Sequence, residues 1–172
     1  MDTVKTRLAT VWMGGCSGCH MSFLDLDETL LELAAKVELC YSPIADAKEF
    51  PEVDVTLVEG CLANREHLAE IRHIRARTKI LIAFGDCAIT GNITAIRNSV
   101  PLGVVLSTAY GDPRFGQTQG VLPVLLDEAM PLHEAVKVDY YLPGCPPSAE
   151  KILDLVGSLL AGEPVNGSKR FG

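Results

Sequence analysis

The chain has 172 residues, 48% of them apolar, which is enough for one domain with a real core and excludes a disordered chain. Its formal charge of −7 argues against a nucleic-acid-binding or anionic-membrane surface. No apolar stretch approaches the roughly 20 residues that span a bilayer, so no membrane insertion is expected.

Residues 4–13 are predicted as the first strand. The run stops abruptly at Gly14-Gly15, and Cys16-Ser17-Gly18-Cys19 follows at CxxC spacing. Residues 21–35 carry Phe23, Leu24, Leu30, Leu31 and Ala34 near helical spacing, so a helix is expected there. Two thiols therefore fall where a strand ends and a helix begins. Unpaired N–H groups and the helix dipole at such a point favour a thiolate.

Residues 36–42 alternate and predict a half-buried second strand. Residues 43–52 are a connector. Residues 53–58 form the third predicted strand, which runs into Glu59-Gly60-Cys61. Residues 64–77 predict a helix, acidic early at Glu66 and Glu70 and basic late at Arg72, Arg75 and Arg77, as the macrodipole prefers. Residues 79–84 are almost continuously apolar, as in a strand buried on both faces, and end in Gly85-Asp86-Cys87.

Residues 88–136 are more than one crossover needs. They contain Pro101, Pro113, Pro123 and Pro131, and helical periodicity emerges only over 121–130. Such a segment is expected to be functional or partner-bound, or else a loosely ordered insertion. Residues 137–142 are the fifth predicted strand, ending in Pro143-Gly144-Cys145-Pro146-Pro147. Residues 148–161 are the closing helix, stopped by Gly162 and Pro164. Residues 1–165 are expected as one domain and 166–172 as a flexible tail.

Strands and helices alternate, so the expected fold is α/β: a flavodoxin-like, doubly wound parallel sheet of order 2-1-3-4-5. Ligands in such sheets sit beyond the carboxyl ends of the strands. Here the loops after the first, third, fourth and fifth strands carry Gly15-Cys16, Gly60-Cys61, Gly85-Asp86-Cys87 and Gly144-Cys145. Four loops at one edge of one sheet all deliver sulfur.

Residues 1–7 show no twin arginine, apolar stretch or cleavage site, so a cytoplasmic protein is expected. A cytosolic chain with a core has little use for disulfides, and metal binding better explains six cysteines. Cys16, Cys19, Cys87 and Cys145 are the candidate cofactor-binding and metal-ligating set. Zinc and iron–sulfur clusters both accept four thiolates. Structural zinc commonly pins small coreless modules through two short-range pairs, whereas this chain has a core and one such pair. Glycine beside each cysteine leaves room for a bulky cubane. One [4Fe–4S] cluster is therefore expected, ahead of zinc or a dithiol redox motif.

Cys61 is expected as a small buried residue, with a place facing the sulfurs as the alternative, and Cys40 as core. Glu59 is balanced between a role beside the sulfurs or in proton transfer and a solvated loop acid. His20 is expected at the surface, with a bond to sulfur or a partner as the alternative. His67, His73 and His133 are expected to be solvated, and Trp12 and Tyr110 to be buried in core or interface. Asp25, Asp27 and Glu28 suit a solvated helix side ahead of a docking face. No P-loop or GxGxxG fingerprint is present. No catalytic residue is expected, and the chain reads as a one-electron relay that needs partners.

On Cys16-Ser17-Gly18-Cys19, Val58-Glu59-Gly60, Gly85-Asp86-Cys87-Ala88 and Pro143-Gly144-Cys145-Pro146-Pro147 the chain resembles the small subunits of [NiFe] hydrogenases. The motifs stand in that family's order over residues 14–147. The resemblance implies that Cys16, Cys19, Cys87 and Cys145 hold the proximal [4Fe–4S] cluster, fed by the Ni–Fe centre of a separate large subunit. Periplasmic and membrane-linked members add an export signal and a cysteine-rich C-terminal domain, and usually an acidic residue where Gly15 stands. With Cys19-His20-Met21-Ser22-Phe23-Leu24-Asp25-Leu26-Asp27-Glu28, this sequence is instead similar to the small subunits of cytoplasmic NAD-reducing (bidirectional) hydrogenases. That implies iron–sulfur and flavin diaphorase subunits as further partners, with FMN and NAD in them. An FMN on this domain is left open. The cluster-bearing subunit of respiratory complex I is a relative, but it has adjacent cysteines where Ser17-Gly18 here separates Cys16 from Cys19. Hydrogenases linked to a deazaflavin, to sulfur or to a disulfide reductase, and a complex-I-like relay to quinone, are the alternatives.

Overall fold

A computed structural model describes residues 5–115, 122–163 and 165. In chain order β1 is Thr6–Trp12, α1 Gly18–Leu24, α2 Thr29–Lys36, β2 Val37–Tyr41, β3 Val53–Glu59, β4 Leu62–Asn64, α3 Arg65–Arg77 and β5 Thr78–Phe84. Then come α4 (Asp86–Thr90), α5 (Asn92–Ala95), a 3-10 turn at Ile96–Ser99, α6 (Leu102–Tyr110), β6 (Leu125–Met130), a 3-10 turn at Leu132–Glu134, β7 (Tyr140–Leu142) and α7 (Ala149–Ala161). No described helix is long and apolar enough to cross a membrane.

β2-β1-β3-β5-β7 form a five-stranded sheet, and every neighbouring pair is parallel. This is the flavodoxin-like order that the alternating pattern predicts. β4 and β6 make a separate antiparallel ribbon. Both faces of the main sheet are covered, which is why its strands read as near-continuous apolar runs. Leu8, Leu57, Ile82 and Phe84 pack with Phe23, Leu33, Ile152 and Leu155 from α1, α2 and α7. Val11, Val58, Leu81 and Ala83 pack on the other side with Ile71 and Ile74 of α3 and Ala88 and Ile89 of α4. The alternation along β3 and β5 sends successive side chains to opposite cores. α3 begins as its sequence suggests: Asn64 Oδ1 accepts from the His67 N–H at 2.7 Å. Ser148 caps α7 in the same way.

The single helix expected over 21–35 is two helices. Asp27 takes a left-handed backbone, with φ of 48°, between them. The break turns Leu26 into the core, whereas Leu31 stands exposed. The tail 166–172 and Pro164 lie outside the described residues.

Residues 88–136 also depart from the expectation of a helix near 121–130. Residues 125–130 are strand β6, paired with β4. Pro123 precludes an early helical start, and β4 offers a pairing edge right after Cys61, so tertiary pairing overrides local period. Side chains from the 3-10 turn fasten the ribbon. Arg97 donates to the carbonyls of Ala63, Leu126 and Asp127. Asn98 gives its Nδ2 to Ala129 O and takes the Ala129 N–H on Oδ1, both at 2.8 Å. The described part of this segment is thus ordered structure rather than a loose insertion.

Cys40 is half-exposed, not core, because β2 is an edge strand with a partly open face. His67 is half-buried, not solvated: its Nδ1 accepts from the Ala63 N–H, and burial lowers its pKa. His73 and His133 are exposed.

Candidate metal centre

The parallel register brings four strand ends level. Trp12 pairs with Glu59, Glu59 with Phe84, and Phe84 with Leu142. The loops that follow therefore leave the sheet side by side. Gly14 and Cys61 exchange backbone hydrogen bonds at 2.9 and 3.0 Å, tying the first two loops together. Gly85 N–H donates to Leu142 O, and Asp86 N–H to Gly144 O, each at 2.9 Å. Gly144 N–H returns a bond to Asp86 Oδ1 at 2.8 Å. The Cys87 and Cys145 loops are thereby locked to each other. Ser22 Oγ donates to Pro147 O at 2.5 Å and joins α1 to the Cys145 loop.

Cys16, Cys19, Cys87 and Cys145 line one cavity of about 70 Å³, together with Gly18, Glu59, Asp86, Gly144 and Pro146. Cys19 is buried, Cys87 half-buried, and Cys16 and Cys145 exposed at its rim. The structure thus brings the four predicted thiols to one place, although they span 130 positions from first to last in sequence numbering. Among the described residues, no three His, Cys, Asp or Glu side chains converge as on a single ion. The thiols ring a shared space instead.

The electrostatics run against the expected helix-end effect. Burial pushes the Cys19 thiol far above its ordinary value, and Glu59, Cys87, Cys16 and Cys145 push it further. Burial also raises Cys87, helped by Cys145, Cys61 and Cys16, while the nearby Asn92 amide opposes the rise. α1 has only seven residues, so its dipole is short, and desolvation with like-charge crowding wins. Thiols in this position ionise together only when a positive charge sits among them.

His20 is buried at 7% exposure, not at the surface. Its backbone N–H and its Nδ1 both meet Glu59 Oε2, at 2.9 and 2.5 Å. Glu59 is 1% exposed, so it is a buried acid at the cavity wall and not a solvated loop residue. His20 Nε2 is buried without a hydrogen-bond partner among the described residues. Cys61 is fully buried, bonds to Gly14 O, and does not line the cavity, as its favoured reading has it. Two residues at the site were given no role by sequence reasoning. Asp86 locks the two loops, and Asn92 donates from Nδ2 to Cys145 Sγ at 3.3 Å. The available signal for Asn92 was the Gly-Asn pair, a dipeptide suited to left-handed backbone just past a short helix.

Trp12 and Met21, beside the sulfur loop, are exposed, as are Ile93, Ile96, Val100 and Val104 on the segment after Cys87. Tyr110 is exposed and stacks on Phe115.

A parallel flavodoxin-like sheet with converging thiols at its strand ends defines a class of redox-complex subunit, and the chain belongs to the NADH ubiquinone oxidoreductase, 20 Kd subunit family, which matches residues 16–159. Within that class its relatives are hydrogenase subunits. It is 37% identical to the NAD-reducing hydrogenase HoxS subunit delta of Cupriavidus necator over 169 residues, covering 93% of this chain and 81% of that one. It is 41% identical to a subunit of the vhu F420-non-reducing hydrogenase of Methanocaldococcus jannaschii, covering 95% of this chain but 59% of that one. A crystal structure of an NAD+-reducing [NiFe]-hydrogenase in the H2-reduced state contains a chain matched at TM-score 0.87 and 40% identity, covering 98% of this chain and 96% of that chain. The protein is a hydrogenase subunit and hence part of an oxidoreductase.

Proposed function

We propose that this chain is the electron-relay subunit of an NAD-reducing [NiFe] hydrogenase, with one [4Fe–4S] cluster held by Cys16, Cys19, Cys87 and Cys145. The observation that carries this reading is the convergence of four thiols from three separate loops on one cavity at level strand ends. The residues fit such a group. Four soft sulfur donors suit iron, and their crowding calls for positive charge between them. At Gly85 a Cβ would overlap Cys19 Sγ, so the loop is shaped to leave the thiol side clear. The small-subunit family is one that carries an iron–sulfur cluster, which supplies one-electron storage when bound.

The chain's own residues hold that site in register. Asp86 clamps the Cys87 and Cys145 loops, Ser22 ties α1 to the latter, and Glu59 holds the start of α1 through His20. The buried side of the cavity keeps water from Cys19. Exposed Trp12, Met21, Ile93 and Ile96 suit burial against a Ni–Fe large subunit, the expected electron donor. Iron–sulfur and flavin diaphorase subunits, with FMN and NAD, are the proposed acceptors, on the strength of the NAD-reducing relatives. Free cysteines suit a cytoplasmic, reducing setting. The similarity to a subunit of an F420-non-reducing hydrogenase favours, as a second reading, the same relay feeding another acceptor.

Iron and acid-labile sulfide in the anaerobically purified complex test the cluster. About four of each per chain attributable to this subunit is the expected result, and zinc in their place would overturn it. Changing Cys19 or Cys145 to Ala should abolish hydrogen-dependent electron flow. Mass spectrometry of co-purifying subunits separates the two acceptors.

A further inference from the structure

We propose that Asn92 is a positioning residue that sets the reduction potential of the site by donating an amide N–H to the sulfur of Cys145. The inference rests on the reading that Cys145 is a cluster ligand.

Asn92 Nδ2 lies 3.3 Å from Cys145 Sγ. Gly91 and Asn92 both have positive φ, at 81° and 40°. This left-handed pair ends α4 and turns the Asn92 side chain toward the thiol that the Pro143-Gly144-Cys145 loop presents.

The amide is held in place by several anchors. The Asn92 N–H donates to Thr90 Oγ1, whose hydroxyl donates to Asp86 O. Thr94, two residues on, donates to Gly14 O beside the CxxC loop. Beyond it, Arg97 and Asn98 fasten the chain to the β4–β6 ribbon. The ordered segment after Cys87 therefore has a use: it carries a neutral donor to the exposed side of the site and fixes it there.

The step concerned is entry of one electron, supplied by hydrogen oxidation in the large subunit, with no bond made or broken. That electron adds negative charge on the sulfurs. A fixed N–H donor stabilises the more negative state, so it raises the potential. Removing it should favour the oxidised state.

The test uses the full chain, reconstituted anaerobically with iron and sulfide, and follows an EPR-monitored redox titration. Asn92→Gly keeps the left-handed turn and removes the donor. With iron and sulfide content equal to wild type, its potential should fall by the equivalent of about tenfold in the reduction equilibrium, about 59 mV for one electron. Equal content with an unchanged or higher potential overturns the proposal. Should the glycine variant bind less iron, Asn92→Asp preserves shape and backbone without the N–H donors, and a potential at or above wild type overturns it again. Iron and sulfide content that is unchanged in Cys145→Ala refutes the cysteine ligand itself, and so separates failure of that reading from failure of the Asn92 proposal.

Discussion

Glu59 Oε2 accepts two hydrogen bonds from one residue, His20: 2.9 Å from the backbone N–H and 2.5 Å from Nδ1. The residue after Cys19 is thus tied to the end of β3 through a buried acid. Glu59→Ala leaves both His20 donors unpaired out of water. It should destabilise the chain by about 3 kcal/mol. Glu59→Gln keeps one acceptor and should cost less. Denaturant unfolding midpoints measure both, and equal midpoints for wild type and Glu59→Ala would refute the role.

Gly85 and Gly111 separate backbone strain from close approach. Both have left-handed φ, at 85° and 77°. A Cβ on Gly85 would overlap Cys19 Sγ, whereas no atom of the described residues would lie within 4 Å of one on Gly111. Gly111→Ala should cost about 1 kcal/mol and leave iron content unchanged. Gly85→Ala should cost more backbone strain, because its ψ of 164° lies in a region that glycine alone enters freely, and it should also displace Cys19, so iron per chain should drop. Iron assay and thermal unfolding of the pair check this.

Asn98 acts as one residue of a third strand, pairing with Ala129 through both its amide groups. Asn98→Ala strands a backbone N–H and a carbonyl on the half-buried side of β6. A loss of about 2 kcal/mol is expected, read as a lower urea midpoint. Because the turn that bears Asn98 also follows Asn92, proteolysis after α4 should quicken.

Acid should weaken the fold in two stages. Burial holds His67 below the ordinary histidine value, with its neutral Nδ1 accepting from Ala63. A lowered folded pKa means that stability is full above the ordinary value, about 6.5, and declines as pH falls toward the folded one. Asp139 follows at lower pH. Burial alone would raise it, but the Leu81 N–H and the Arg75 guanidinium outweigh burial and hold it low. Its contribution persists above about pH 4 and is lost as pH falls through the depressed value. His67→Gln should flatten the first decline and Asp139→Asn the second, in urea midpoints measured against pH.

The predicted strand at 79–84 and helix at 64–77 matched the structure within a residue at either end because their signals are local. A buried parallel strand is apolar throughout, and a capped helix announces itself through Asn64 and its charge gradient. The helix break at Asp27 was not legible in the same way. The apolar spacing continues across it, and only the need to seat Leu26 in the core reveals the turn. β6 was missed for a related reason, since a short ribbon strand draws its stability from β4, more than sixty residues earlier.

What the sequence determined by itself was the layered α/β architecture, the strand order, and the set of glycine–cysteine loops at strand ends. Each depends on period and neighbouring residue type, which a linear chain carries openly. The tertiary structure alone decided that Glu59 and His20 are a buried pair, that Cys40 lies on an open edge, and that Asn92 reaches the Cys145 sulfur. Those outcomes depend on how strands are staggered and on which loop closes over which, so they arise from distances across the sheet that no spacing along the chain encodes.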